Sequence, residues 1–342
     1  MRASRLLSIA ASAALLVGLA GCAQTPAPAD DADAPAGSGA FPVTIEHAFG
    51  ETVVPAKPKR VATVAWANHE VPLALGVVPV GMSRATWGDD DGDGVLPWVE
   101  DRLEQLGAKT PVLFDETDGI DFEAVADTRP DVILAAYSGL TKSDYETLSK
   151  IAPTVAYPKV AWGTTLDEMI EMDSEAIGLG ARGERLATRI DGDLEAAAAK
   201  RPQLAGKTAM FAYVEPADLG KIGFYTTLDP RVRTFEDLGM TIPATVRKAS
   251  AASKEFYLTT SAEDAESLDD VDVIVTYGDA ALLKKLQADP LLGRIPAIAR
   301  GSVVLLTDDT PLAASANPSP LSVGPAQDDY LDALAAAADK VG

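Results

Sequence analysis

The chain has 342 residues, a formal net charge of −22, two histidines and one cysteine. So acidic a chain argues against nucleic acid and anionic lipid as partners, and a lone cysteine removes disulfides and thiolate metal clusters. With only His47 and His69, and no Gly-x-Ser-x-Gly elbow, little remains for a catalytic triad or for the several imidazoles of a zinc or manganese centre.

The chain opens with Arg2 and Arg5, an apolar run from Leu6 to Leu19, then the small residues Ala20 and Gly21 before Cys22. That order is a secretory signal over residues 1–21, with an apolar run too short to span a bilayer as a stable helix. Leu19-Ala20-Gly21-Cys22 resembles the bacterial lipobox, which predicts cleavage, lipidation of Cys22 and residence on the outer face of the cell membrane, held by lipid alone. Residues 22–41 are rich in Pro, Ala, Gly, Ser and Asp and read as a flexible lipidated tether.

The body from Pro42 onward exceeds one ordinary hydrophobic core, so two lobes are expected. Strands are predicted at Val61–Trp66, Val77–Gly81, Asp131–Tyr137, Thr154–Tyr157, Lys207–Val214, Asp272–Tyr277 and Ser302–Thr307. A short helix at His69–Leu75, stopped by Gly76, separates the first two. Strands alternating with helices point to parallel α/β layers.

After the second strand, Asp89, Asp91, Asp93, Gly94 and Glu100 have the spacing of an EF-hand calcium loop. Pro97 and Trp98 interrupt that pattern, and a solvated acidic loop is the alternative.

An internal echo follows. The segment from Glu123 to Tyr137 parallels that from Glu263 to Tyr277: an acidic residue opens a short helix, an aspartate precedes an apolar strand, and a tyrosine closes it. Between the copies, Leu166, Met169, Ile170 and Ile177 mark one amphipathic helix. Leu186, Ile190 and Leu194 mark a second, running to Lys200 before Pro202 stops it. A last helix starts at Gly324-Pro325 and turns Leu331, Leu334 and Ala338 inward.

Several stretches carry a family resemblance: Arg60–Trp66, Ala74–Gly81, Arg129–Leu134, Ile151–Tyr157, Leu228–Gly239 and Asn317–Leu321. Together they resemble the iron-siderophore ABC transporter substrate-binding proteins, from about Pro42 to the end of the chain. The resemblance implies an α/β fold of two Rossmann-like lobes joined by a single long backbone helix, the class III periplasmic binding protein fold. It divides the chain into an N-terminal lobe at 42–180, a linking helix at 181–202 and a C-terminal lobe at 203–342. It further implies a monomer that captures a ferric siderophore between the lobes, works without a cofactor or catalysis, and delivers its cargo to an ABC permease. Glu123 and Glu263 match the acidic residues that dock on the permease in this family, although helix capping also explains them.

Ligands of open α/β sheets bind beyond the carboxyl ends of strands. That rule selects Trp66, Arg84, Trp87, Tyr137, Ser138 and Trp162 in the first lobe, and Phe224, Tyr225, Arg231, Tyr277 and Asn317 in the second. Aromatic rings suit a bulky chelator, and an arginine fork suits metal-bound oxygens. No triple-arginine cleft suited to a highly anionic catecholate is evident, and the acidic body and aromatic richness favour a neutral or cationic hydroxamate complex. Haem or cobalamin in the same fold is the alternative, since a tyrosine or one histidine can ligate haem iron. A surface enzyme is the remote one.

Overall fold

The computed structural model describes residues 39–342. The predicted signal, Cys22 and most of the predicted tether lie outside the described residues. A short antiparallel hairpin of β1 (Val43–His47) and β2 (Gly50–Val54) comes first.

The first half then alternates strand and helix: β3 (Val61–Thr63), α1 (Glu70–Ala74), β4 (Gly81–Ser83), α2 (Pro97–Gln105), β5 (Val112–Phe114), α3 (Phe122–Asp127), β6 (Val132–Leu134), α4 (Lys142–Leu148), β7 (Thr154–Val155) and α5 (Leu166–Ala176). The strands form a parallel sheet in the order β5-β4-β3-β6-β7. Alternation within strands feeds both faces of this sheet. Val61, Val132 and Leu134 join the large core that continues through α5, whereas Ala62, Ile133 and Phe114 join a separate cluster on the other face.

The long helix α6 (Gly180–Ala199) follows, with Leu186, Ile190 and Leu194 buried along one stripe. It packs closely on α5 at Gly183, where a Cβ would meet Ser174 Oγ at 2.0 Å. Its last turns lead to Arg201, whose guanidinium pairs with Asp328 at 2.9 Å and Asp332 at 2.8 Å on the final helix.

The second half contains β8 (Ala209–Tyr213), β9 (Lys221–Tyr225), α7 (Pro230–Asp237), α8 (Ala244–Ala251), β10 (Tyr257–Ser261), β11 (Val273–Tyr277), α9 (Ala280–Ala288), α10 (Pro296–Arg300), β12 (Val303–Leu306), α11 (Pro311–Ser315) and α12 (Pro325–Ala338). Its sheet runs β10-β9-β8-β11-β12. β8, β11 and β12 pair in parallel, whereas β9 pairs antiparallel with both β8 and β10, so this sheet is mixed rather than all-parallel as expected: β9 alone runs against the other four strands. β9 and β10 were not among the predicted strands.

The internal echo corresponds to topology. β6 sits between β3 and β7 as β11 sits between β8 and β12. Asp131 Oδ2 accepts the Lys59 and Arg60 amides at 2.8 and 3.0 Å, and Asp272 Oδ2 accepts the Thr208 amide at 3.0 Å. In each copy the aspartate before the strand ties it to its neighbour.

Every predicted strand is shorter in the structure, two of them for evident local reasons. The Val61–Trp66 strand stops at Thr63, because Ala65 and Ala67 both adopt φ of 62°. The Val77–Gly81 strand begins only at Gly81. The Val77 amide is already used by Pro72 O at 2.8 Å, and Pro79 has no amide to donate.

The halves do not separate cleanly along the chain. After β12 the chain returns to the first half, where Ala314 and Leu321 pack with Leu73, Met82 and Trp98. Glu70 is buried at this crossing, accepting Trp98 Nε1–H and the Leu321 amide, both at 2.9 Å. Burial pushes its carboxyl up to about 7, with Ser319, Trp98 and Leu321 opposing that shift.

Candidate functional site

The carboxyl ends of both sheets face one cleft of about 360 Å³. Asn68 sets its first edge. Its Nδ2 donates to Val64 O at 2.8 Å and Tyr137 O at 2.9 Å, while its Oδ1 accepts the Tyr137 amide at 2.9 Å. The ends of β3 and β6 are thereby locked together, and Trp66 is presented between two alanines held at positive φ.

Trp162 is also held at positive φ, 59°, with its amide on Ser138 O at 2.9 Å. Its indole lies over Gly139, where a Cβ would approach Nε1 to 2.2 Å, so only glycine permits this pose. Tyr137 meets Trp162 edge-on at 5.4 Å.

The second half contributes a cation set in aromatic surroundings. Asp229 is fully buried at the start of α7 and grips the Arg231 fork through both oxygens, at 2.8 and 2.7 Å. The guanidinium lies 3.8 Å from the Tyr225 ring centroid and donates to Tyr277 Oη at 3.2 Å. Burial works against the charge, but Asp229 outweighs it and holds Arg231 well above its ordinary range. Burial likewise pushes the Tyr277 phenol up to about 12, so it stays neutral at physiological pH.

Contacts between the halves close the cleft on one side. Trp87 Nε1 donates to Asp308 Oδ1 at 3.0 Å, and the Gly88 amide donates to Asp309 Oδ1 at 2.7 Å. Trp87 also stacks edge-on against Tyr277 at 5.5 Å and leans on Trp66 at 6.1 Å. Asn317 Nδ2 reaches Tyr137 Oη at 3.2 Å.

Eight residues selected from the sequence therefore surround this cleft: Trp66, Trp87, Tyr137, Trp162, Tyr225, Arg231, Tyr277 and Asn317. Three others do not. Phe224 faces the sheet core, because alternation along β9 sends only Tyr225 to the cleft. Ser138 is fully buried and donates its hydroxyl to Ala135 O at 2.7 Å. Arg84 lies outside this cleft, against Gly94 and within 3.4 Å of Gly92 O. Tyr213 and Asp308 line the cleft without having been selected. Both lie at or just beyond the carboxyl ends of predicted strands, so the same rule applied more widely reaches them.

Asp89, Asp91 and Asp93 have oxygens within 4.8 Å of one another. These carboxylates already accept the amides of Asp91, Gly92, Asp93, Gly94 and Val95. The turns so formed explain the alternating aspartates without an ion. Glu100 stands on α2, its carboxyl raised by slight burial and by Asp93. The calcium expectation has no further support.

Neither histidine lines the cleft. His47 is bonded to Thr52 at 2.9 Å in the hairpin, and His69 is buried beside a separate small hollow of about 20 Å³.

A model of the periplasmic binding protein family matches residues 61–310. The chain belongs to that family. It is 44% identical to Streptococcus pneumoniae PiaA, crystallised in complex with ferrichrome, covering 87% of this chain and 99% of that one with a TM-score of 0.84. A second PiaA structure, described as an iron uptake ABC transporter substrate-binding protein, is 43% identical and gives 0.81. The chain is also 30% identical over 150 residues to a probable siderophore-binding lipoprotein, YfiY, of Bacillus subtilis. That match spans 43% of this chain and only 42% of the relative. The fold is the class III periplasmic binding protein fold, and the chain is a solute-binding protein rather than an enzyme. Among the described residues no helix is long and apolar enough to cross a membrane.

Proposed function

We propose that this protein captures a ferric siderophore, of the hydroxamate class, in the aromatic cleft and delivers it to an ABC permease for iron uptake. The observation that carries this reading is the cleft itself: rings from both halves around the single buried cation Arg231, in a chain 44% identical to a ferrichrome-bound protein. The rings supply apolar area for the organic shell. The Arg231 guanidinium, which lines the cleft, supplies a donor for hydroxamate oxygens on iron. One such cation suits a neutral complex better than a multiply anionic catecholate.

Titration with a ferric trihydroxamate should quench tryptophan fluorescence, since Trp66, Trp87 and Trp162 line the cleft. No response to ferric hydroxamates, ferric catecholates or haem overturns the reading.

In this reading Cys22 carries the lipid, and the segment following it tethers the receptor near its permease, raising the effective concentration for docking. Glu123 and Glu263 are exposed in the first turns of equivalent helical segments, as permease-docking residues require. Reversing both, with Glu123→Arg and Glu263→Arg, should abolish uptake in cells while leaving siderophore affinity intact. Unchanged uptake would remove these two from the docking role.

A further inference from the structure

A second cavity of about 340 Å³ lies behind the aromatic cleft, and Trp66 and Trp162 line both. The two spaces differ in origin. The cleft draws on both halves, whereas the second cavity is built from the first half alone, at the carboxyl ends of its strands. Apart from the two indoles, its walls include Ser83, Arg84, Ile120, Leu140 and Asp144, with Glu116 facing in from the loop after β5.

Glu116 is an unusual wall. Its Oε2 accepts the Ala65 amide at 2.9 Å, so the carboxyl is fixed by the same strained backbone that presents Trp66. Its Oε1 is buried and has no hydrogen-bond partner, although the Ser83 hydroxyl faces the same carboxyl. Leaving a buried charged acceptor unmatched is costly, and the cost is removed when a ligand supplies the donor. Burial pushes the carboxyl up to about 7, with the Ala65 amide and the Ser83 hydroxyl opposing that shift. Arg84 is the cavity's one cation and lies exposed, reaching toward Gly92 O. Two acids against one exposed arginine leave the interior suited to a donor of positive charge, and the indoles favour a methylene chain ending in a cation.

We propose that this second cavity takes an amine-bearing arm of the cargo, its ammonium on Glu116, while the iron chelate stays on the aromatic side of Trp66 and Trp162. The inference rests on the siderophore reading of the cleft and narrows it to hydroxamates that carry a flexible cationic chain. A ferric trihydroxamate is itself neutral, so such a cargo has net positive charge, in keeping with an acidic receptor.

The test uses three iron complexes in fluorescence titrations: a linear ferric trihydroxamate with a terminal amine, its N-acetylated form, and a cyclic ferric trihydroxamate with no arm. The protein should bind the amine form about tenfold more tightly than the acetylated one, the scale of one charge-assisted hydrogen bond. Glu116→Gln keeps an acceptor for the Ala65 amide and should erase that preference without changing affinity for the cyclic complex. Ile120→Trp, which fills the cavity, should weaken both armed complexes and spare the cyclic one. If the cyclic complex binds but the amine gives no advantage, or if neither variant alters the armed complexes, the inference is overturned while the siderophore reading stands. If none of the three binds, the siderophore reading itself falls and the inference with it.

Discussion

Asp229 and Arg231 form a buried pair within one turn at the start of α7, joined by two bonds of 2.7 and 2.8 Å. Asp229 is fully buried and also accepts the Arg231 amide at 2.9 Å. The aspartate thus caps the helix and aims the guanidinium at the Tyr225 ring and the Tyr277 hydroxyl. Removing one member of such a pair leaves an uncompensated buried charge. Asp229→Asn and Arg231→Met should each cost about 3–5 kcal/mol in urea unfolding, and Arg231→Met should in addition lower cargo affinity.

Gly139 and Trp162 make a second prediction. A Cβ on residue 139 would collide with the indole at 2.2 Å, so Gly139→Ala must push Trp162 off its seat. Cargo affinity should fall by about tenfold or more, accompanied by a shift in tryptophan emission in the free protein. Unchanged emission and affinity would show that the indole has another resting place.

The contact between halves at Gly88 is accessible to hydrogen exchange. Its amide is held by Asp309 Oδ1 at 2.7 Å, and Asp309 adopts φ of 55° to reach it. Asp309→Ala should accelerate exchange at Gly88 while leaving the amides of β3 and β6 protected. Equal exchange in both proteins would show that the Asp309 bond does not protect this amide, the packing of Gly88 on Ala314 being enough.

Glu70 predicts a pH dependence. Its folded pKa of about 7 lies above the ordinary glutamate value, so between about pH 4.5 and 7 the folded state holds more protons than the unfolded one. Stability from this residue is therefore present at the acid end of that window and is lost as pH rises through it. Glu116, also raised to about 7, contributes in the same direction. Glu70→Gln should flatten the fall of Tm with pH relative to the parent protein, at the cost of one hydrogen bond to Trp98 or Leu321. An identical slope in the variant would refute the assignment.

Much of the cleft was legible in the sequence because two simple regularities carry it. Apolar runs between helices mark strands, and residues just beyond their carboxyl ends face the ligand side. Trp66, Trp162 and Tyr277 follow from that, whereas Tyr225 reaches the cleft from β9, which runs against β8. Ser138 and Phe224 did not, because a position beyond a strand says nothing about which way its side chain turns. Alternation sends Phe224 inward, and a main-chain carbonyl captures the Ser138 hydroxyl. β9 and β10 are not legible in the sequence because Lys221–Tyr225 and Tyr257–Ser261 mix glycine, lysine and threonine into short segments, without the apolar run of a buried parallel strand.

The sequence by itself determined the two α/β halves, their internal echo, the long helix between them and the aromatic character of what they enclose. These depend on local periodicity and on residue type, which the chain carries in order. Only the tertiary structure decided that Glu70 would be buried where the chain crosses back between the halves, that Asp229 would neutralise Arg231 inside the cleft, and that Trp66 and Trp162 would line a second cavity beside a carboxylate with one unmatched oxygen. Those features join positions far apart in the chain, or depend on desolvation, and both are properties of packing that no local pattern encodes.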